Sequence, residues 1–312
     1  MGHTRMSRDR TILTLGVALH AIFFALMLAE VEPFHTFFYL FAWWTFIPVI
    51  GAINRLKTGD SLVLGDGSRF FWMASCSVVV WLFFESWNFH LQNWLYHGIV
   101  EITWLRWLGY TVSFATVIPA VLETDLLLGN LRVGRRLTGP ALNVTPRFLY
   151  ACVTVGFIMM FLVVLLPDYC FPLLWVGIVF ILDPVLHHYD PSASFLGQAR
   201  RGDYQRLARM MLAGLVCGVL WEFWNFWSAA KWVYSIPLLN FWRVFEMPVF
   251  GFLGFMPFAL ECYLFWQLFN IMRSTWAGRG WQTPVTVLAL AVIYSLLVFA
   301  GIDHITVIWT GA

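Results

Sequence analysis

Along the chain, polar positions gather in short clusters between long runs that are apolar almost all round. Neither the strict alternation of a half-buried strand nor the single apolar stripe of a soluble helix is present over these runs. Runs of this length mark helices that cross a bilayer. About 20 residues, each rising about 1.5 Å, span an apolar layer about 30 Å thick. Nine segments fit, at about 11–31, 36–53, 69–90, 108–128, 148–167, 171–187, 207–228, 247–271 and 284–302.

Composition removes the soluble alternatives. Hydrophobic residues make up 60% of the 312 and charged residues only 12%, against roughly 25% charged in a soluble domain. Too few charges remain to clothe a water-facing surface. The fold class is therefore all-α, a polytopic helical membrane protein whose first partner is the lipid bilayer. A formal net charge of +2 carries none of the basic excess of a nucleic-acid binder. Five separated cysteines, with no CxxC among them, read as packing residues. The apolar run after Arg5, Arg8 and Arg10 is long for a signal peptide and reads as a first span.

Positive charge sets the expected orientation. With the N-terminus in the cytoplasm, 16 of the 19 Lys and Arg fall in cytoplasmic segments, and only Arg106, Lys231 and Arg243 fall outside. The reverse orientation inverts that ratio, against the positive-inside rule. An odd number of spans then places the C-terminus outside.

The chain also repeats itself. FFESWNF at 83–89 matches LWEFWNF at 220–226, with Glu85 and Glu222 137 positions apart. Trp94, Tyr96, Trp104, Pro119 and Glu123 match Trp232, Tyr234, Trp242, Pro257 and Glu261, each 138 apart. The offset equals four spans. An even number per unit makes the halves parallel, related by an axis along the membrane normal. The expected organisation is a first four-helix repeat over 1–145, a second over 146–275, and a ninth helix with the C-terminus over 276–312. The centre of such a pair is a natural place for a cavity.

The chemistry-bearing candidates are the repeated polar residues. Glu85 with Asn88, and Glu222 with Asn225, are three apart and share a helix face. A carboxyl in an apolar span is costly, so it normally faces protein or water and favours its uncharged form. Such a group can deliver a proton. It can equally tie helices together or close a backbone carbonyl. Glu123 and Glu261, four residues after Pro119 and Pro257, line helices bent by proline; plain packing acids are the alternative. Trp87, Trp94, Trp224, Trp232 and Tyr234 are candidate ring walls for a substrate, or members of an interfacial aromatic belt. The outer segment 231–248 reads as an interfacial helix or re-entrant loop capping a cavity, with Arg243 and Glu246 part of the cap. Histidine and acid pairs such as His97 with Glu101 lack a repeated metal-ligand pattern, so no metal is expected, and no motif calls for a cofactor.

The PxxxE helices and the segment WVYSIPLLNF resemble, through short motifs, the membrane lycopene cyclases and carotenoid hydratases. That resemblance implies olefin protonation by acids that follow a proline, here Glu123 and Glu261. The family pattern pairs two acids at that place, whereas each proline here is followed by one. The chain as a whole also resembles bacterial polytopic inner-membrane proteins with a WE-x-WN signature, which implies a bacterial inner-membrane location. Aromatic walls that hold a cation, with buried acids beside them, suit redox-neutral chemistry on an isoprenoid or other unsaturated lipid of the cyclase, hydratase or isomerase type. A proton- or ion-coupled transporter and a membrane accessory or assembly subunit remain as alternatives. The oligomeric state is not legible in the sequence.

Overall fold

The computed structural model describes residues 2–238, 240–276 and 279–309, with side chains from residue 6 onward. The chain is helical almost throughout. The helices are α1 (Gly2–Leu28), α2 (Phe38–Thr58), α3 (Gly67–Leu91), α4 (Thr103–Phe114), α5 (Val117–Asn130), α6 (Pro146–Leu165) and α7 (Pro167–Cys170). They continue as α8 (Pro172–Tyr189), α9 (Phe195–Ala199), α10 (Gln205–Trp227), α11 (Phe255–Ser274) and α12 (Gln282–Ile305). Four short strands lie among them: β1 (Trp94–His97), β2 (Lys231–Tyr234), β3 (Arg243–Val244) and β4 (Met247–Pro248).

Eight helical segments among the described residues are long and apolar enough to cross a membrane, with α4 and α5 counted as one and α11 taken with the 3-10 turn before it. The chain is a multi-pass membrane protein. Of the nine expected spans, α2 falls outside those eight. It is 21 residues long, but its last turns carry Asn54, Arg55 and Lys57. Asn54 and Arg55 are used inside the fold. Arg55 reaches Asp9 of α1 at 3.2 Å and the Leu64 carbonyl at 2.8 Å.

Loops gather at two ends. At one end, the amides of Ala229 and Ala230 bond the carbonyls of His35 and Thr36, and Tyr96 bonds the 306–308 segment. At the other, Gly139 and Leu142 bond the carbonyls of Gly202 and Ala199. The local sequence explains where helices start. Asp66 and Thr145 accept from Ser68 and Phe148 as N-caps, and Pro146 follows Thr145 at the first helical position. Helices α10 and α11 pack closely because Gly214 and Gly218 leave room for Phe255, its backbone against the first and its ring against the second.

The outer segments form strands, where the sequence reading expected a helix or re-entrant loop. Strands β1 and β2 pair antiparallel, Trp94 with Tyr234 and Tyr96 with Trp232. These are the repeat-matched residues, exchanged across the pair. A local two-fold axis therefore passes between Leu95 and Val233. Strands β3 and β4 make a second small pairing, and the C-terminal segment adds a parallel bridge from Val307 to Tyr96.

Candidate functional site

An isolated two-stranded ribbon is barely stable, and backbone at membrane depth needs every polar group satisfied by protein. The asparagines of the repeated segments FESWN at 84–88 and WEFWN at 221–225 do this. Asn88 Nδ2 donates to the Trp94 carbonyl at 2.8 Å, and Asn88 Oδ1 accepts from the Asn93 and Trp94 amides at 2.8 and 3.3 Å. In the other half, Asn225 Nδ2 donates to the Trp232 carbonyl at 2.8 Å and its Oδ1 accepts from the Trp232 amide at 3.0 Å. Each asparagine stands for a missing strand.

The glutamates one turn earlier hold the tyrosines of the ribbon. Tyr96 donates to Glu85 Oε1 at 2.5 Å, beside the indole N–H groups of Trp81 at 2.8 Å and Trp94 at 3.1 Å. Tyr234 donates to Glu222 Oε1 at 2.8 Å, and Trp232 donates to the Tyr234 oxygen at 3.0 Å. Both glutamates are fully buried, and each leaves its Oε2 without a partner. The halves differ because Gly218 occupies the position that matches Trp81, 137 residues earlier. Burial, and then the neighbouring glutamate, pushes both phenols well above the ordinary tyrosine range, so both carry their protons.

The ribbon roofs two cavities. The first, about 160 Å³, is walled by Trp81, Trp94, Trp175, Phe255 and Phe258, with Tyr96 and Tyr234 among its few polar groups. The second, about 80 Å³, lies against Tyr39, Tyr110, Phe114 and Val117 and shares Trp81, Tyr96 and Trp232 with the first. The α7–α8 junction and the stretch from Met247 to Phe258 close the larger one.

Of the sequence candidates, Trp94, Trp232 and Tyr234 line the cavities, while Glu85, Glu222, Asn88 and Asn225 stand behind that wall. None of the four glutamates named from the sequence lines either cavity, and they do not share one pocket. Glu123 lies at the opposite end, where Oε1 accepts from Asn54 at 3.0 Å and Oε2 from the Leu62 amide at 2.8 Å, anchoring the α2–α3 loop. Glu261 is fully buried and neither of its oxygens has a partner. Trp87 packs on Phe83, and Trp224 packs edge-on against Trp43 at 4.7 Å, away from both cavities. Arg243 is exposed and bonds Asn240 and the Tyr234 carbonyl. Glu246 pairs with Lys231 at 2.7 Å.

The sequence reading named Tyr96 only as a repeat match and passed over Trp81, Trp175 and the Asp303 cluster. Asp303 takes a bidentate contact from Arg106, both arms at 2.7 Å, and further bonds from Trp107 and Tyr110. A cation among three expected outside was the available signal, since a buried arginine needs an acid at the same depth. Among the described residues, no group of three or more His, Cys, Asp or Glu is placed to hold a metal ion.

No family model, no curated protein and no solved structure matches this chain.

Proposed function

We propose that this membrane protein binds an unsaturated apolar chain, of the isoprenoid or lipid class, beneath the ribbon and acts on it by proton transfer without oxidation or reduction. The carrying observation is the pairing of a cavity-wall tyrosine with a buried glutamate in each half. The phenols resist becoming phenolates, so a proton leaves Tyr234 only as another arrives from Glu222. For the step the hydrogen bond of the pair reverses, the protonated Glu222 carboxyl donating to the Tyr234 oxygen. The Tyr234 O–H bond then breaks, a C–H bond forms at one olefinic carbon, and the carboxyl proton moves to the phenol oxygen, leaving Glu222 as the carboxylate. The neighbouring carbon becomes a cation, which the indole and phenyl faces of the wall stabilise. Loss of a proton back to the relay gives an isomer or a cyclised product, and addition of water, with loss of its extra proton back to the relay, gives an alcohol. The proline-associated acids Glu123 and Glu261, to which the cyclase resemblance points, do not line the cavity.

The test is to make Glu222→Gln and Tyr234→Phe in the source cell and extract its lipids and isoprenoids for mass spectrometry. A single general acid contributes about 10²–10⁴-fold in rate. Both variants are therefore expected to accumulate one unsaturated species and lose its product. An unchanged profile with normally folded variants overturns the reading.

One observation favours a second reading, a proton- or ion-coupled transporter. Glu261 is a buried carboxyl with no hydrogen-bond donor on either oxygen, as a relay group would be between transfers. That reading predicts solute uptake that needs a pH gradient and fails in Glu261→Gln.

A further inference from the structure

We infer that the smaller cavity is a second binding site, for a terminal segment of the same class of unsaturated apolar chain, so that one molecule of the protein engages two. The inference rests on the ligand reading above and adds a stoichiometry to it. Its basis is the two-fold relation of the ribbon. Because Trp94 faces Tyr234 and Tyr96 faces Trp232, whatever one half builds beneath the ribbon, the other half builds on the far side.

The walls bear this out residue by residue. Tyr39 of the small cavity stands 136 positions before Trp175 of the large one, and Ser113 and Val117 stand 138 before Gly251 and Phe255. Trp81, Tyr96 and Trp232 belong to both walls, which puts a tyrosine held by a buried glutamate at the small cavity as well. The difference in volume has a local cause. Tyr110, held by Asp303, projects a ring where the matching position carries Pro248. The small site is narrower and more polar at its rim, where Arg106 and Lys231 stand, but its walls against the shared rings are of the same kind.

Two glycines allow each cavity to be filled by itself. A Cβ at Gly109, on the small cavity, meets nothing within 4 Å, and one at Gly254, on the large cavity, meets only the Trp175 ring, at 3.9 Å. The probe is cis-parinaric acid, a fluorescent polyene fatty acid, titrated into the purified full-length protein with tryptophan energy transfer as the readout. The wild type should show two saturable equivalents per chain. Gly109→Leu and Gly254→Leu should each show one, and the double variant none. Ser113→Leu fills the small cavity from another helix position and should match Gly109→Leu. A single equivalent, lost in Gly254→Leu and untouched by Gly109→Leu and Ser113→Leu, overturns the second site and leaves the ligand reading standing. Saturable binding that is absent, or indifferent to every filling variant, removes the ligand reading and the second site together.

Discussion

A single asparagine in each half does the work of a neighbouring strand, and this makes Asn88 and Asn225 sensitive positions. Asn88→Ala leaves the buried Trp94 carbonyl and the Asn93 amide without partners, at about 1–3 kcal/mol for each group left unpaired. A lowered apparent melting temperature in detergent, with loss of parinaric acid binding as the ribbon loosens, is the expected result. A melting curve equal to the wild type would show that the ribbon does not need the clamp. The tyrosines give a second test through pH. Burial and their glutamate partners raise Tyr96 and Tyr234 well above the ordinary phenol range. For a group whose folded value is raised, stability is fully present below the unfolded value, about 10 for tyrosine, and is lost as pH rises through the folded value. Alkaline titration by ultraviolet difference absorbance should therefore show these two phenols ionising only together with unfolding. Early ionisation of either one in the folded protein would contradict its placement. Asp303 belongs at this scale too. It meets Arg106 with both oxygens in a largely buried pair, and breaking a buried pair costs about 3–5 kcal/mol. Asp303→Asn should destabilise the protein far more than the substitution of the exposed Arg243 by Gln, measured in the same thermal assay.

Among the elements, α10 and α11 depend on closeness. A Cβ at Gly214 would meet the Phe255 carbonyl oxygen and the Ala259 side chain, so the two helices must part to admit one. Gly214→Val is expected to cost about 1–3 kcal/mol as overpacking, read as a lower melting temperature, while Gly109→Leu, facing open space, should leave stability nearly unchanged. Equal effects of the two would mean that the helices are not held at contact distance. The helices themselves were legible in the sequence because long apolar runs have few other outcomes. The strands were not. Four-residue strands whose partners stand 134 to 140 positions away leave only a trace of alternation, Trp94 and Tyr96, Trp232 and Tyr234. In an aromatic-rich interface that trace is hard to separate from a belt. The Glu and Asn of FESWN and WEFWN were visible as a repeated pair on one helix face, yet their roles were hidden. They act on a ribbon that exists only once the two halves have met. Glu123 and Glu261 show the opposite failure: equal in sequence, they differ in surroundings, one accepting from Asn54 and Leu62 and the other accepting nothing.

For the whole molecule, helix α2 sets the parity of the crossings. Among the described residues, eight segments are long and apolar enough to cross, and that even number alone would return both termini to one side. Helix α2 changes that parity if it crosses. Its first residues adjoin the end of the molecule where Thr36 and His35 accept from Ala230 and Ala229. Its last turns adjoin the other end, where Asn54 meets Glu123 and Arg55 meets Asp9 near the start of α1. Asn54 and Arg55, which lower its apolarity, are therefore spent on protein partners, as intramembrane polar groups usually are. A crossing α2 would put the termini on opposite sides, and the positive-inside rule then leads to the expectation that the loops holding the arginines at 132, 135, 136, 200 and 201 face the cytoplasm. Two fusions decide the matter. A green fluorescent protein placed before residue 1 should fluoresce, since it folds in the cytoplasm, and an alkaline phosphatase placed after residue 312 should be active, since it folds only outside. Phosphatase inserted in the 131–145 loop should be inactive. Both termini reporting from the same compartment would mean that α2 lies within the bundle without crossing.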